Sequence, residues 1–122
     1  MRFDQQTLDM FDRRREVDVE ALRPDDRSIR VPIWIVVDGG EVFIRSWHGD
    51  RGRWYQAAVD RPDEVTLHAG GRSIPVHVVP ATDPASVERC STALERKYAG
   101  DASTLGMVRP EILGTTLRVE PA

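Results

Sequence analysis

The stretch Val31-Pro32-Ile33-Trp34-Ile35-Val36-Val37-Asp38-Gly39-Gly40-Glu41-Val42-Phe43-Ile44-Arg45-Ser46-Trp47 decides how the chain is to be read. Val31 to Val37 is apolar on both faces, the pattern of a strand in the middle of a sheet, covered on each side. Asp38-Gly39-Gly40 then reads as a tight hairpin turn, because glycine supplies the positive φ that such turns need. On the return, Val42 and Ile44 share one face, while Phe43, Arg45 and Trp47 share the other. A cation between two aromatics, on a strand paired to an interior one, is the oddest placement in the chain.

Toward the N-terminus, Asp4 to Arg15 reads as a short helix. Asp4 caps its start, Leu8 and Phe11 form one apolar stripe, and Arg13-Arg14-Arg15 suits the carbonyl end of the helix dipole. Val17 and Val19 alternate with Asp18 and Glu20, as in a half-buried strand, and Arg23 to Ser28 is a polar turn. Toward the C-terminus, the loop His48 to Gly52 leads into a short helix, Arg53 to Val59, with Trp54, Ala57 and Ala58 on one face. A second hairpin follows. With Gly70-Gly71 as a two-residue turn, Leu67 opposes Ile74 and Val65 opposes Val76, so the apolar pairs share one face. The other face carries Glu64 opposite His77 and His68 opposite Ser73. Thr82-Asp83-Pro84 signals a helix start, and Val87, Cys90, Ser91, Leu94 and Tyr98 line one face up to Gly100. A polar linker precedes a last strand, Thr115 to Val119. The order is helix, three strands, short helix, hairpin, long helix, strand.

Composition bounds the function. The chain has 122 residues, of which 40% are hydrophobic and 30% charged, a globular balance and the size of one ordinary domain. A net charge of −3 gives no general attraction to nucleic acid. The longest apolar run is far shorter than the roughly 20 residues a membrane span needs. The single cysteine, Cys90, excludes an internal disulfide and a multi-cysteine metal site. With a polar, amphipathic start in place of a signal peptide, the expectation is a cytoplasmic protein.

Candidate chemistry concentrates between Arg45 and Trp54. A strand ends there in a cation and a hydroxyl, and a short loop delivers a helix start. Such a corner suits phosphate, because free amides and the helix dipole face the same volume as the basic side chains. Trp47 and Trp54 add flat apolar surface on which an aromatic ring could lie. The competing interpretation is that the arginines are solvated and the tryptophans are core. Asp50 counts against a phosphate if its carboxylate caps the helix.

Pro32-Ile33-Trp34, Phe43-Ile44-Arg45-Ser46, Gly49 and Arg53-Trp54-Tyr55 together resemble an uncharacterised domain-of-unknown-function family of the FMN-binding split-barrel clan, the pyridoxamine-phosphate-oxidase-like proteins. Asp63 to Leu67, Gly70-Gly71-Arg72 and Asp83-Pro84 are also similar to the deazaflavin-dependent nitroreductases of that clan. The resemblance extends to Lys97-Tyr98 and Thr116-Leu117-Arg118. It implies an α+β fold: one split-barrel domain over residues 1–122, of about six mainly antiparallel strands with an N-terminal, a short and a longer helix. It implies a homodimer with FMN or a deazaflavin in a cleft between subunits, and hydride transfer by that cofactor. Carried over by position, Arg45, Ser46 and Arg53 are phosphate contacts, with Trp34 and Trp54 as walls or core near the ring. No lysine lies in this corner, although flavin binders of the clan commonly use one, and no N-terminal arm covering the cofactor is recognisable. The alternatives are a non-catalytic split-barrel binding module that has lost the cofactor, and an interaction protein whose aromatic face is a dimer interface.

The other candidates carry less. His48, His68 and His77 lack a ligand set for a metal, though His48 lies beside the phosphate corner. Cys90 falls on an apolar helix face, as a small core residue. The glycine pairs are turns and not a dinucleotide fingerprint, and no serine-centred nucleophile motif is present.

Overall fold

A computed structural model of the chain describes residues 2–122. Helix α1 (Gln5–Arg13) begins at Asp4, whose carboxylate accepts the Thr7 amide at 2.8 Å. Strands β1 (Val17–Leu22) and β2 (Ser28–Ile33) form an antiparallel pair, followed by β3 (Val36–Asp38) and β4 (Glu41–Ile44). A 3-10 turn, Gly49–Arg51, leads into α2 (Arg53–Asp60). Strands β5 (Val65–Ala69) and β6 (Arg72–Pro80) precede α3 (Pro84–Lys97), a short α4 (Thr104–Met107), a second 3-10 segment (Pro110–Thr115) and β7 (Leu117–Pro121). The long helix starts as its sequence indicates, with Asp83 capping the Ser86 amide at 3.1 Å and Pro84 in the first turn.

The seven strands form one antiparallel sheet in the order β2-β1-β5-β6-β7-β4-β3. Both glycine pairs form the expected tight turns, and the Gly70-Gly71 hairpin has the expected register. Gly39 and Gly40 have φ of 58° and 79°, Gly70 and Gly71 of 58° and 76°, so each pair holds the left-handed geometry that twists with the strands. Leu67 faces Ile74, Val65 faces Val76 and His68 faces Ser73.

The run Val31 to Val37 corrects the sequence reading. It is not one central strand: β2 ends at Ile33, β3 begins at Val36, and the two lie at opposite edges of the sheet. Pro32 accounts for this, because a residue without an N–H is tolerated on an edge and not inside a ladder. The split also raises the strand count to seven from the expected six or so. Only Trp34 and Ile35 join the two edges, and three residue steps reach at most about 11 Å. The sheet must therefore curl until its first and last strands nearly meet. Ile35, fully buried, holds that seam from the inside, while Trp34 packs against the second cluster on the other side.

Two further expectations change. Glu64 does not face His77 in the ladder, since β5 starts at Val65; the carboxylate on His77 Nδ1 is that of Asp63. The polar linker after Gly100 is structured, because Thr104, Met107 and Ile112 bury there against the sheet and α3.

One apolar cluster fills the curl, with Phe11, Val19, Ile35, Val42, Ile44, Leu67, Val76 and Leu117 among its most buried members. A second lies on the opposite face of β4, where Phe43 and Val36 pack against Cys90, Leu94 and Tyr98 of the α3 region and against Met107 and Ile112. The alternation of Val42 and Ile44 with Phe43 thus separates two cores.

Candidate functional site

A cleft of about 710 Å³ opens at the seam. Val31 to Trp34 form one wall, and Trp47, His48 and Arg51 to Trp54 form the other. Of the residues proposed from sequence, Trp34, Arg45, Arg53 and Trp54 line it. Ser46 lies one layer behind, 1% exposed.

Arg45 is 2% exposed and has no carboxylate partner among the described residues. Its Nε donates to Thr116 Oγ1 at 2.9 Å, Nη1 to Ser91 Oγ and the Met107 carbonyl at 3.0 Å each, and Nη2 to the Val87 carbonyl at 3.1 Å. Burial pulls the guanidinium below its ordinary value, yet arginine stays charged in proteins. The guanidinium that lines the cleft is therefore met directly by hydroxyl and carbonyl dipoles. The same charge lies near Cys90, whose thiol burial pushes up to about 11 despite the arginine.

Ser46 has the only buried side-chain polar atom without a hydrogen-bond partner among the described residues. Its backbone amide donates to Thr115 Oγ1 at 3.2 Å and its carbonyl accepts from the Gly49 amide at 3.1 Å, so the residue is fixed while its hydroxyl is not satisfied. Gly52 packs directly over that hydroxyl, where a Cβ would overlap Ser46 Oγ. Gly52 is also the N-cap of α2, and no side chain caps this helix. Asp50 does not take that place: its carbonyl accepts from Gln56 Nε2 at 2.9 Å, and its side chain is not a cap. The competitor foreseen for a phosphate is thus absent from the helix start. Arg53 in the first turn is exposed.

The aromatic walls differ in kind. Trp34 stacks on Tyr98 at 3.8 Å between centroids and 5° between planes. The Tyr98 hydroxyl accepts the Ile35 amide at 3.2 Å and donates to the Arg15 carbonyl at 2.7 Å, and Lys97 Nζ donates to the carbonyls of Phe11 and Ile35 at 2.8 and 2.7 Å. The end of α3 thus clamps the seam. Trp54 is 7% exposed and packs into the main core. Trp47, read with Trp54 as flat surface in this corner though not among the residues carried over from the family, is 43% exposed and lines the cleft. Its ring lies against Gly106, where a Cβ would overlap it, with the Arg109 guanidinium 4.8 Å from the ring centroid. Its place beside His48 was the available signal; its partners Gly106 in α4 and Arg109 just after it, about 60 residues away, were not visible in the sequence.

A curled antiparallel sheet with a cleft at its open seam, aromatic-walled and floored by a buried arginine, defines a split-barrel protein. A family model matches residues 7–119, and the chain belongs to that family, DUF2255, described as uncharacterized protein conserved in bacteria. No curated protein matches. Among solved structures, the chain is similar to the conserved hypothetical protein Rv2991 from Mycobacterium tuberculosis, at 15% identity and TM-score 0.71 over 98% of this chain and 79% of that one. A candidate pyridoxamine 5'-phosphate oxidase from Listeria innocua aligns at 12% identity and TM-score 0.67, over 95% and 90% of the two chains. An F420-H2 dependent reductase (FDR-A) aligns at 16% identity and TM-score 0.64, over 88% and 95%. At these identities the likeness is one of fold.

Proposed function

We propose that the cleft binds a planar, phosphate-bearing cofactor of flavin type, FMN or a deazaflavin, and that the protein is an oxidoreductase acting as a homodimer. The observation that carries this reading is the buried charge of Arg45, which lines a cleft and has no carboxylate within ion-pair reach among the described residues, although Glu16 lines the same cleft. An anionic ligand group would supply the missing charge. The uncapped start of α2 and Arg53 at the rim fit the same anionic group, while Ser46 supports them from behind Gly52. In the same reading Trp34 and Trp54 border the ring, with Trp47 beside them. The cofactor, when bound, supplies hydride transfer; the chain's residues bind and orient it. Leu105, 80% exposed next to Gly106 and its Trp47 contact, supports burial of this rim against a second copy.

One observation favours the alternative of a cofactor-free binding module. The internal acceptors on Arg45 hold α3, α4 and β4 together whether or not a ligand is present. The two readings separate in thermal melts with FMN, FAD, a deazaflavin and haem, beside the visible spectrum of the purified protein. A saturable rise with FMN or the deazaflavin is expected, worth about 2.7 kcal/mol at a hundredfold excess over Kd. A colourless protein indifferent to all four leaves the module reading in place.

A further inference from the structure

On the polar face of the sheet, three strands bring together side chains that the sequence keeps far apart. Ser73 on β6 faces His68 on β5, and Glu20 on β1 lies on the same face, two residues beyond the partner of His68. Ser73 Oγ is 3.0 Å from His68 Nδ1, and His68 Nε2 is 2.7 Å from Glu20 Oε1. The polarity of this chain is fixed from one end. The Glu20 carboxyl is held below its ordinary value, first by its hydrogen bond to His68 and then by Ser28, so it is ionised and can only accept. The proton on that side of the ring therefore sits on Nε2. In the tautomer with its proton on Nε2, the lone pair is on Nδ1, positioned to accept from the Ser73 hydroxyl. Glutamate orients the base, the base is shielded (His68 side chain 15% exposed), and the serine is exposed. His68 and Ser73 open onto a second cleft of about 400 Å³, rimmed by Arg14, Arg30 and Arg72 and by the carboxylates of Glu16 and Asp18.

We propose that Ser73, His68 and Glu20 form a second, nucleophilic site that accepts the acyl group of small activated esters. Ser73 Oγ attacks the carbonyl carbon as its proton passes to His68 Nδ1. The bond to the leaving alcohol breaks, the alcohol takes that proton, and an acyl-serine remains. Water, deprotonated by the same nitrogen, releases the carboxylic acid and restores the serine. Glu20 is a positioning residue that keeps the tautomer.

The test uses a fluorophosphonate probe on the whole chain, with the adduct located by mass spectrometry, and p-nitrophenyl acetate as substrate. One adduct on Ser73 is expected, absent in Ser73→Ala. Glu20→Gln should slow labelling about a hundredfold with unchanged circular dichroism, because a glutamine amide N–H favours the tautomer with its proton on Nδ1. His68→Ala should slow it at least as much. No adduct on the folded wild-type chain overturns the proposal, and so does labelling of Ser73 at the same rate in Glu20→Gln.

Discussion

Arg45 has two roles that a substitution does not separate. Removing its side chain strips the charge from the cleft and also leaves the carbonyls of Val87 and Met107 without their donor. Arg45→Ala is therefore expected to lower stability by about 3 kcal/mol or more, read in urea melts. The exposed Arg53 is the cleaner probe: Arg53→Ala should change stability by no more than about 0.5 kcal/mol while weakening an anionic ligand. Cys90 gives a second expectation at this scale. Fully buried, with its thiol pushed up to about 11, it should react with a thiol reagent at pH 8 only as fast as the chain opens. Labelling that outpaces unfolding would contradict the burial. The oddity of Arg45 was legible in the sequence, but its partners stand 42 to 71 residues away. Local pattern marks a misplaced charge; only the packed structure tells what satisfies it.

Among the elements, the hairpins were the most legible, because a Gly-Gly pair both sets the turn and fixes the register of everything that flanks it. The apolar run before them was not, since a segment that crosses a barrel seam is as apolar as a central strand; Pro32 was the available warning. The clamp on that seam makes an expectation in pH. Burial holds the Lys97 ammonium at about 8, below its ordinary 10.5. Between those values the unfolded chain binds more protons than the folded one, so stability should rise as pH increases from 8 to 10.5. Tyr98, raised to about 12 by burial, acts oppositely: above pH 10 the unfolded chain loses that proton first and stability should fall. Chemical denaturation across this range should show the rise in the wild-type chain and not in Lys97→Met. At the start of α2, Gly52→Ala forces a methyl onto Ser46 Oγ and is expected to destabilise by about 1–3 kcal/mol.

Over the whole molecule, the strand order shows what joins what. β2, β1, β5 and β6 form one ladder, β4 and β3 another, and β7 alone bonds to both, with Val119 opposite Val42 on one side and Val78 on the other. Val119→Pro removes a ladder bond from this central strand and should abolish cooperative unfolding rather than shift its midpoint. A retained sharp transition would show that the two ladders hold together without it.

That position of β7 also sets a timetable. The two-residue link at Trp34-Ile35 lets the outer strands approach early, since closing so short a loop takes little entropy. Their sheet stays in two pieces, each with an apolar edge uncovered, until the residues past Thr116 have emerged and slid between β6 and β4. A ribosome synthesising this domain therefore carries an unfinished barrel until β7 has emerged, and that strand is the one that locks it.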